Sequence, residues 1–464
     1  MKRITPPLRA LLLGFVAMLP LSGGAAQNPD RAPVVILISV DGLAAFHLND
    51  PRSDIPTIRW MAENGARAER MQTSFPSVTW PTHTSLVTGV RPGRHGVLAN
   101  SYYDREQNKK VPLIMDPLFD KEELVKVPTI YDVAHLAGLK TAGVNWPASR
   151  NARHLDWQMP DVGDGAIHAR STTPSLLAEL KARGIPVEQQ PEWVKAPAGK
   201  AMRDWLYTRV AEHILRTHRP NVLVIHLVTV DSFAHQNGGR SPEVAWACND
   251  SDHRIRELVE TVKAAGLADR TTFFVTADHG FADYTKNINP NVLLREKGWL
   301  KTAGNAIVES KVHFLAEGGA GFFYIRDRAQ RETIMAELVS ALKAVEGIEA
   351  VIPSGEFASV GHVTADQNPH EPDVMVAAAA GYSFAESPAS KELIVPTGAV
   401  KGTHGNHPDN PLLDATFVAW GAAIKPGAKL GAIRNIDVAP TMAAVLGLKM
   451  ENVEGRVLTE ILKK

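Results

Sequence analysis

Three apolar runs mark the first two-thirds of the chain: Val34–Val40, Val222–Val228 and Thr272–Thr276. Each is built of β-branched and aliphatic residues, and each is followed by an aspartate: Asp41, Asp231 and Asp278. Unbroken runs of this length between turn residues predict strands buried on both faces, as in a parallel sheet. Between them, apolar positions recur at helical spacing, which predicts helices over Ile55–Glu63, Thr129–Ala137, Arg203–Arg216 and Ala245–Ala264. The alternation from residue 33 to about 280 predicts an α/β fold with a doubly wound, mostly parallel central sheet. The proline-rich, polar segments Asp104–Lys126 and Gly184–Lys200 interrupt it as expected surface insertions.

After His279 the rhythm changes. Strands are expected near Val312 and Phe322, a helix over Gln330–Val345, and strands over Ile348–Ile352 and Val374–Ala378. Beyond His404, Ala415–Trp420 reads as a strand and Ile436–Leu446 as a helix that close the main sheet. The expected organisation is a discontinuous core, residues 27–280 and 401–464, carrying a smaller α+β insertion over 281–400.

In open α/β sheets ligands bind beyond the carboxyl ends of the strands, so the strand-end aspartates should converge. Joined by His235 of Asp231-Ser-Phe-Ala-His235, His279 beside Asp278, and His404, they make a carboxylate and imidazole set suited to a borderline metal such as zinc. Thr79 is the candidate nucleophile, in Phe75-Pro-Ser-Val-Thr79-Trp-Pro81. Pro81 suits the first helical position, which would put Thr79 at or just before a helix N-terminus that favours negative charge. A threonine hydroxyl becomes nucleophilic when a divalent metal lowers its pKa. Trp80, Trp146 and Tyr103 are candidates either to line a pocket and stack on a base or to fill the core.

These motifs resemble the alkaline phosphatase superfamily and, within it, the nucleotide pyrophosphatase/phosphodiesterase family. The resemblance implies two Zn2+ ions: one held by Asp231, His235 and His404, the other by Asp41, Asp278, His279 and Thr79. It implies that Asn100 binds a phosphoryl oxygen, and that the insertion forms a cap beside the active site of an alkaline phosphatase-like fold. Trp146-Pro147-Ala148-Ser149 is similar to the family's Trp-Pro-Gly-Ser stretch, which favours the phosphodiesterase branch. The chain departs from many relatives in having Thr82 where they have Asn, and Phe281 after Gly280 where they have Met. The implied activity is hydrolysis of phosphodiester or nucleotide pyrophosphate bonds, with a small-molecule phosphodiester or nucleotide as substrate and a covalent phosphoryl-threonine intermediate. The alternatives are a phosphomonoesterase or phosphonoacetate-type hydrolase on the same metals, or a non-catalytic zinc-stabilised binding protein, which would need no Thr79. Sulfatase chemistry is disfavoured because the lone cysteine, Cys248, lies in Trp-Ala-Cys-Asn-Asp.

Composition adds the setting. The 464 residues carry 50 Lys and Arg against 50 Asp and Glu, and this balance argues against nucleic-acid binding by bulk charge. Lys2, Arg3 and Arg9, then apolar Leu11–Leu21, then small residues to Ala26, follow the order of a secretory signal over residues 1–26. No stretch of the mature chain reaches the ~20 apolar residues a transmembrane helix needs. One cysteine allows no internal disulfide, so a periplasmic or secreted protein stabilised by its core and its metals is expected.

Overall fold

The computed structural model describes residues 28–114, 118–195 and 199–464; the expected signal segment lies outside them. The three apolar runs become three neighbouring parallel strands: Thr271–Thr276, Val34–Val40 and Val222–Leu227, with Val34 opposite Thr271 and Val35 opposite Val222. Every residue in them is buried. They form the middle of an eight-stranded sheet. On one side lie Phe417–Gly421, Ala66–Gln72 and Ala428–Arg434, and on the other Thr141–Val144 and Trp157–Met159. Among these strands Phe417–Gly421 runs antiparallel to both neighbours and the other pairings are parallel. This is the mostly parallel α/β fold expected.

The four expected helices form over Pro56–Asn64, Ile130–Leu136, Gly199–Thr217 and Pro242–Ala264. Local chemistry sets some of their ends. Thr129 and Asp132 form a reciprocal capping box at the second, and the Ser241 side chain caps the last. Cys248 is buried in that last helix. A further helix, Thr229–Asn237, has no counterpart in the sequence reading. No helix among the described residues is long and apolar enough to cross a membrane.

Between Gly280 and His404 the chain builds smaller sheets. Val312–Glu317, Ala320–Ile325, Val374–Ala378 and Ile348–Pro353 pair antiparallel as a four-stranded sheet. Its side chains alternate faces, as the strand period requires. Phe314, Phe323, Ile325, Val374 and Val376 pack with Ile334, Leu338 and Leu342 of the Arg331–Leu342 helix. Leu315, Phe322, Tyr324, Met375 and Ala377 pack on Phe75, Ala99 and Tyr103 from the first part of the chain. That second face seats the sheet against the loops around Thr79 and Asn100.

Candidate metal centre

Asp41 leaves the sheet directly after Val34–Val40, and its N–H is held by the Leu227 carbonyl at 2.8 Å. Asp278 follows the neighbouring strand, and its Oδ1 accepts from the N–H groups of Gly42 (3.1 Å) and His279 (3.0 Å). Asp231 comes one helical turn beyond the third strand rather than at its end. It sits in Thr229–Asn237, where the i, i+4 spacing puts Asp231 and His235 on one face. The Asp204 carboxylate, on the Gly199–Thr217 helix, starts this turn by accepting from Val228 N–H (2.7 Å) and Thr229 N–H (3.0 Å).

His404 arrives after the last strand of the insertion, Ile394–Thr403. The Gly319 N–H donates to the His404 carbonyl at 2.6 Å. A Cβ on Gly318 would stand 2.5 Å from that same carbonyl oxygen, so glycine is what lets the hairpin turn approach.

The donor atoms gather in two sets: Asp41, Asp278 and His279, and Asp231, His235 and His404. Each imidazole is oriented by its other nitrogen. Nδ1 of His279 donates to the Gly280 carbonyl (3.1 Å), Nδ1 of His235 to the Gly402 carbonyl (3.1 Å) and Nδ1 of His404 to the Ser77 carbonyl (3.0 Å). A carbonyl can only accept, so in the neutral rings the proton is on Nδ1 and the Nε2 lone pair is bare. Those bare nitrogens face acceptors. His279 Nε2 is 3.3 Å from both Asp41 Oδ1 and Asp278 Oδ2. His235 Nε2 is 3.2 Å from Asp231 Oδ1 and 3.1 Å from His404 Nε2, which is itself 3.5 Å from Asp231 Oδ1. Asp41 Oδ1, Asp231 Oδ1, Asp278 Oδ2 and His279 Nε2 are all buried without a hydrogen-bond partner among the described residues. Ligand atoms ~2.0–2.1 Å from a tetrahedral zinc lie ~3.3 Å apart, so the donor set and its spacing fit a cation in each group.

The electrostatics agree. Burial, together with repulsion from Asp231 and Asp278, holds the Asp41 carboxyl well above its ordinary range. Burial pushes Asp278 up to about 8. Asp231 lies on the imidazole side; burial opposes its charge, but His235, His404 and His279 outweigh it and lower the carboxyl. His235 is raised for the reciprocal reason, Asp231 overcoming the cost of burial, while burial takes His404 down to about 4 and His279 well below its usual range. Uncompensated buried carboxylates are costly, and positive charge between them relieves that cost.

Thr79 is the first residue of the buried helix Thr79–Thr88, so Pro81 stands third rather than first. The first-turn N–H groups have no helical partner in any case, which makes the third position equally tolerant of proline. Asn100 Oδ1 accepts from Trp80 N–H at 2.9 Å, which makes the amide NH2 the donating end, without a partner among the described residues. Glu317, from the insertion, holds the Asn100 loop through Asn100 N–H (3.1 Å) and the Ser101 hydroxyl. Burial lifts Glu317 to about 7.

Two histidines carry more than the sequence reading gave them. His226 Nε2 donates to Asp41 Oδ2 at 3.0 Å. Its Nδ1 faces the Asn145 amide, whose NH2 also bonds the His226 carbonyl at 3.2 Å. The available signal was a single polar residue inside Val-Leu-Val-Ile-His-Leu. His83 is buried, donates from Nδ1 to the Thr79 carbonyl at 2.8 Å and lies 3.5 Å from Asp278 Oδ2. Tyr103 stacks on His313, and Trp146 packs edge-on against His83, so both fill the interior. Phe281 wedges behind the centre against His235, His279 and His404. A Cβ on Gly42 or Gly402 would meet its ring at 2.6 or 2.8 Å.

A mostly parallel sheet with paired carboxylate and imidazole sets at its carboxyl edge is the plan of alkaline phosphatase-like metal-dependent hydrolases. The family model for type I phosphodiesterase / nucleotide pyrophosphatase matches residues 35–407, and the chain belongs to that family of hydrolases. An uncharacterized pyrophosphatase/phosphodiesterase of Schizosaccharomyces pombe is 25% identical over 441 residues, 92% of this chain and 80% of that one. Ectonucleotide pyrophosphatase/phosphodiesterase family member 1 of Rattus norvegicus is 23% identical over 420 residues; the match takes in 90% of this chain but 41% of the rat protein. The solved murine ectonucleotide pyrophosphatase/phosphodiesterase 5 superposes with a TM-score of 0.69 at 18% identity, covering 93% of this chain and 100% of the murine one. A threonine-to-alanine form of the murine protein, described as inactive, was solved in complex with AMP and superposes equally well.

Proposed function

We propose that this chain is a two-zinc hydrolase of phosphodiester or nucleotide pyrophosphate bonds that uses Thr79 as its nucleophile. The observation that carries the reading is the orientation of the three imidazoles. Each spends Nδ1 on a backbone carbonyl and turns a bare Nε2 toward buried, unpartnered carboxylate oxygens beside the Thr79 helix. When bound, two divalent ions supply the Lewis acidity that lowers the Thr79 hydroxyl pKa and stabilises the departing oxygen.

The rest is done by the chain. Asp41, Asp278, His279 and Thr79 hold one ion, and Asp231, His235 and His404 the other. Thr79 Oγ1 gives up its proton to solvent and forms a bond to phosphorus, while the opposite P–O bond breaks and its electron pair leaves with the departing oxygen. The Asn100 NH2 donates to a non-bridging oxygen as charge builds there. Water then attacks the phosphoryl-threonine, breaking the P–Oγ1 bond and releasing a monoester. The AMP bound to the murine relative and the inactivity of its threonine-to-alanine form support a nucleotide substrate and a threonine nucleophile here as well. We assign the core to residues 27–280 and 401–464, the cap to 281–400, and the protein to a periplasmic or secreted location through a signal at 1–26.

The test is hydrolysis of bis-p-nitrophenyl phosphate and p-nitrophenyl phosphate by zinc-loaded protein, beside Thr79→Ala. The expected result is a preference for the diester, with turnover lost in the variant by a factor of at least ~10³ even where Asp41, Asp278 and His279 still hold their ion. Monoester preference would reassign the protein as a phosphatase, and a fully active Thr79→Ala would remove the mechanism.

A further inference from the structure

The metal centre is closed on one side and open on the other. Asp278 and His279 are fully buried and Asp41 nearly so, whereas the His235 side chain is 44% exposed and that of Asp231 18%. Substrate must therefore approach along the Asp231–His235 edge. The Gly199–Thr217 helix packs against the Thr229–Asn237 helix that carries both residues. Asp204 fixes its position by capping Val228 and Thr229, two and three residues before Asp231.

Lys200 lies four residues before Asp204, on the same helical face. It is half-buried, and among the described residues no carboxylate stands within ion-pair distance of its ammonium. The neighbouring charges are already committed. Asp204 is spent on the two N–H groups, and Arg203 on the Tyr207 hydroxyl at 2.8 Å, with Asp161 3.8 Å away. Burial, and then Arg203, depress the Lys200 ammonium, against the pull of Asp231, Asp41 and Asp204; Lys200 in turn acts on His235. An ammonium partly withdrawn from water, with no carboxylate partner among the described residues, is costly unless an anion arrives to meet it.

Charge counting says which anion. This step rests on the two-zinc reading above. Two divalent ions and the carboxylates Asp41, Asp231 and Asp278 leave one net positive charge, which a simple diester monoanion balances. A phosphoanhydride brings a second phosphate whose charge is then unmatched, and the Lys200 ammonium, without a carboxylate partner among the described residues, is a cation that acts on Asp231 and His235.

We propose that Lys200 is a specificity residue whose ammonium receives the second phosphate of a phosphoanhydride, so that nucleotide pyrophosphates are cleaved in preference to simple diesters. Thr79 belongs with the Asp41–Asp278–His279 set, which leaves the Asp231–His235–His404 set to face the departing oxygen and puts the second phosphate in the leaving group. Thr79 Oγ1 bonds to one phosphorus, the bridging P–O bond breaks, and the leaving phosphate departs with the electron pair against Lys200.

The experiment compares kcat/KM for UDP-glucose, an anhydride, with kcat/KM for p-nitrophenyl thymidine 5′-phosphate, a nucleoside diester without a second phosphate. It uses the zinc-loaded wild type, Lys200→Ala and Lys200→Arg, with zinc content and melting temperature measured alongside. A charged hydrogen bond of the usual strength corresponds to ~10–100-fold, so the anhydride-to-diester ratio should fall at least ~10-fold in Lys200→Ala and recover in large part in Lys200→Arg. A ratio within twofold of wild type overturns the assignment of Lys200 and leaves the hydrolase reading intact. A wild type that cleaves neither compound overturns the hydrolase reading itself.

Discussion

Two clusters in this molecule are built from the same residue types and do opposite things with them. At the candidate metal centre three imidazoles give their Nδ1 protons to carbonyls and point bare Nε2 atoms at carboxylates. On the helix side of the sheet, Glu179 meets His213 and His218, again with donor atoms close enough to share an ion. There both Nε2–H groups donate to the same Glu179 Oε2, each at 2.7 Å, and Trp157 stacks on His218 at 4.2 Å. That cluster is satisfied with protons. The first leaves four buried polar atoms without partners. What separates the candidate metal centre from the hydrogen-bonded cluster is therefore whether the Nε2 facing the carboxylate carries a proton, and not the residue census.

Stripping the metals should separate the two regions most sharply. Free zinc at a thousand times Kd stabilises each site by ~4 kcal/mol, so chelation should abolish turnover and lower the melting temperature by many degrees. The stripped protein should also acquire a pH dependence. Asp41 and Asp278 are raised in the folded state, Asp278 to about 8. Their contribution is complete below the ordinary carboxylate pKa near ~4 and is lost as pH rises towards 8. Calorimetry should show stripped protein melting lower at pH 8 than at pH 5, with zinc flattening the trend; equal slopes with and without zinc would contradict the assignment.

A smaller effect is expected at His226, which fixes Asp41 through a 3.0 Å hydrogen bond. Groups that orient a ligand typically change metal affinity ~10–100-fold, and His226→Ala should show that loss at one of the two ions when a chromogenic chelator competes for them. Uniform retention of both ions would reduce His226 to a packing residue.

The smallest change belongs to the second cluster. His213→Ala combined with His218→Ala should leave bound zinc at the wild-type level and cost ~1–3 kcal/mol, the scale for hydrogen bonds to a charged group. Burial raises the Glu179 carboxyl, but the two histidine hydrogen bonds outweigh it and hold it low. Its contribution is therefore present above the ordinary carboxylate range and lost as pH falls through the lowered value. Glu179→Gln should flatten that acid limb, and a drop in zinc content in the double variant would erase the distinction between the regions.

How far the sequence revealed this can be judged from individual residues. Asp41 and Asp278 were legible because each ends an unbroken β-branched run, and such runs have one good solution, a strand buried on both faces. The helix carrying Asp231 and His235 was not. Its first residues continue the apolar run Val222–Val228, and local preference alone would extend the strand. The turn comes from the distant Asp204 carboxylate, which takes up the N–H groups of Val228 and Thr229. Lys200 was hidden for a related reason. It falls at the end of a proline-rich polar stretch that reads as surface, and only the packing of its helix on the Thr229–Asn237 helix sets its charge against Asp231 and His235. Glu317, 217 residues from Asn100, has no local signature at all.

The order in which the ligands leave the ribosome has a consequence for how the protein matures. Asp41 is made early and His404 near the end, after the whole insertion whose Gly318–Gly319 turn grips the His404 loop. A chain still lacking that segment would hold three mutually repelling carboxylates with only His235 and His279 to help. On the two-metal reading proposed above, the Asp231 set is complete only once the last quarter of the polypeptide has been made, so metal capture would come late in folding.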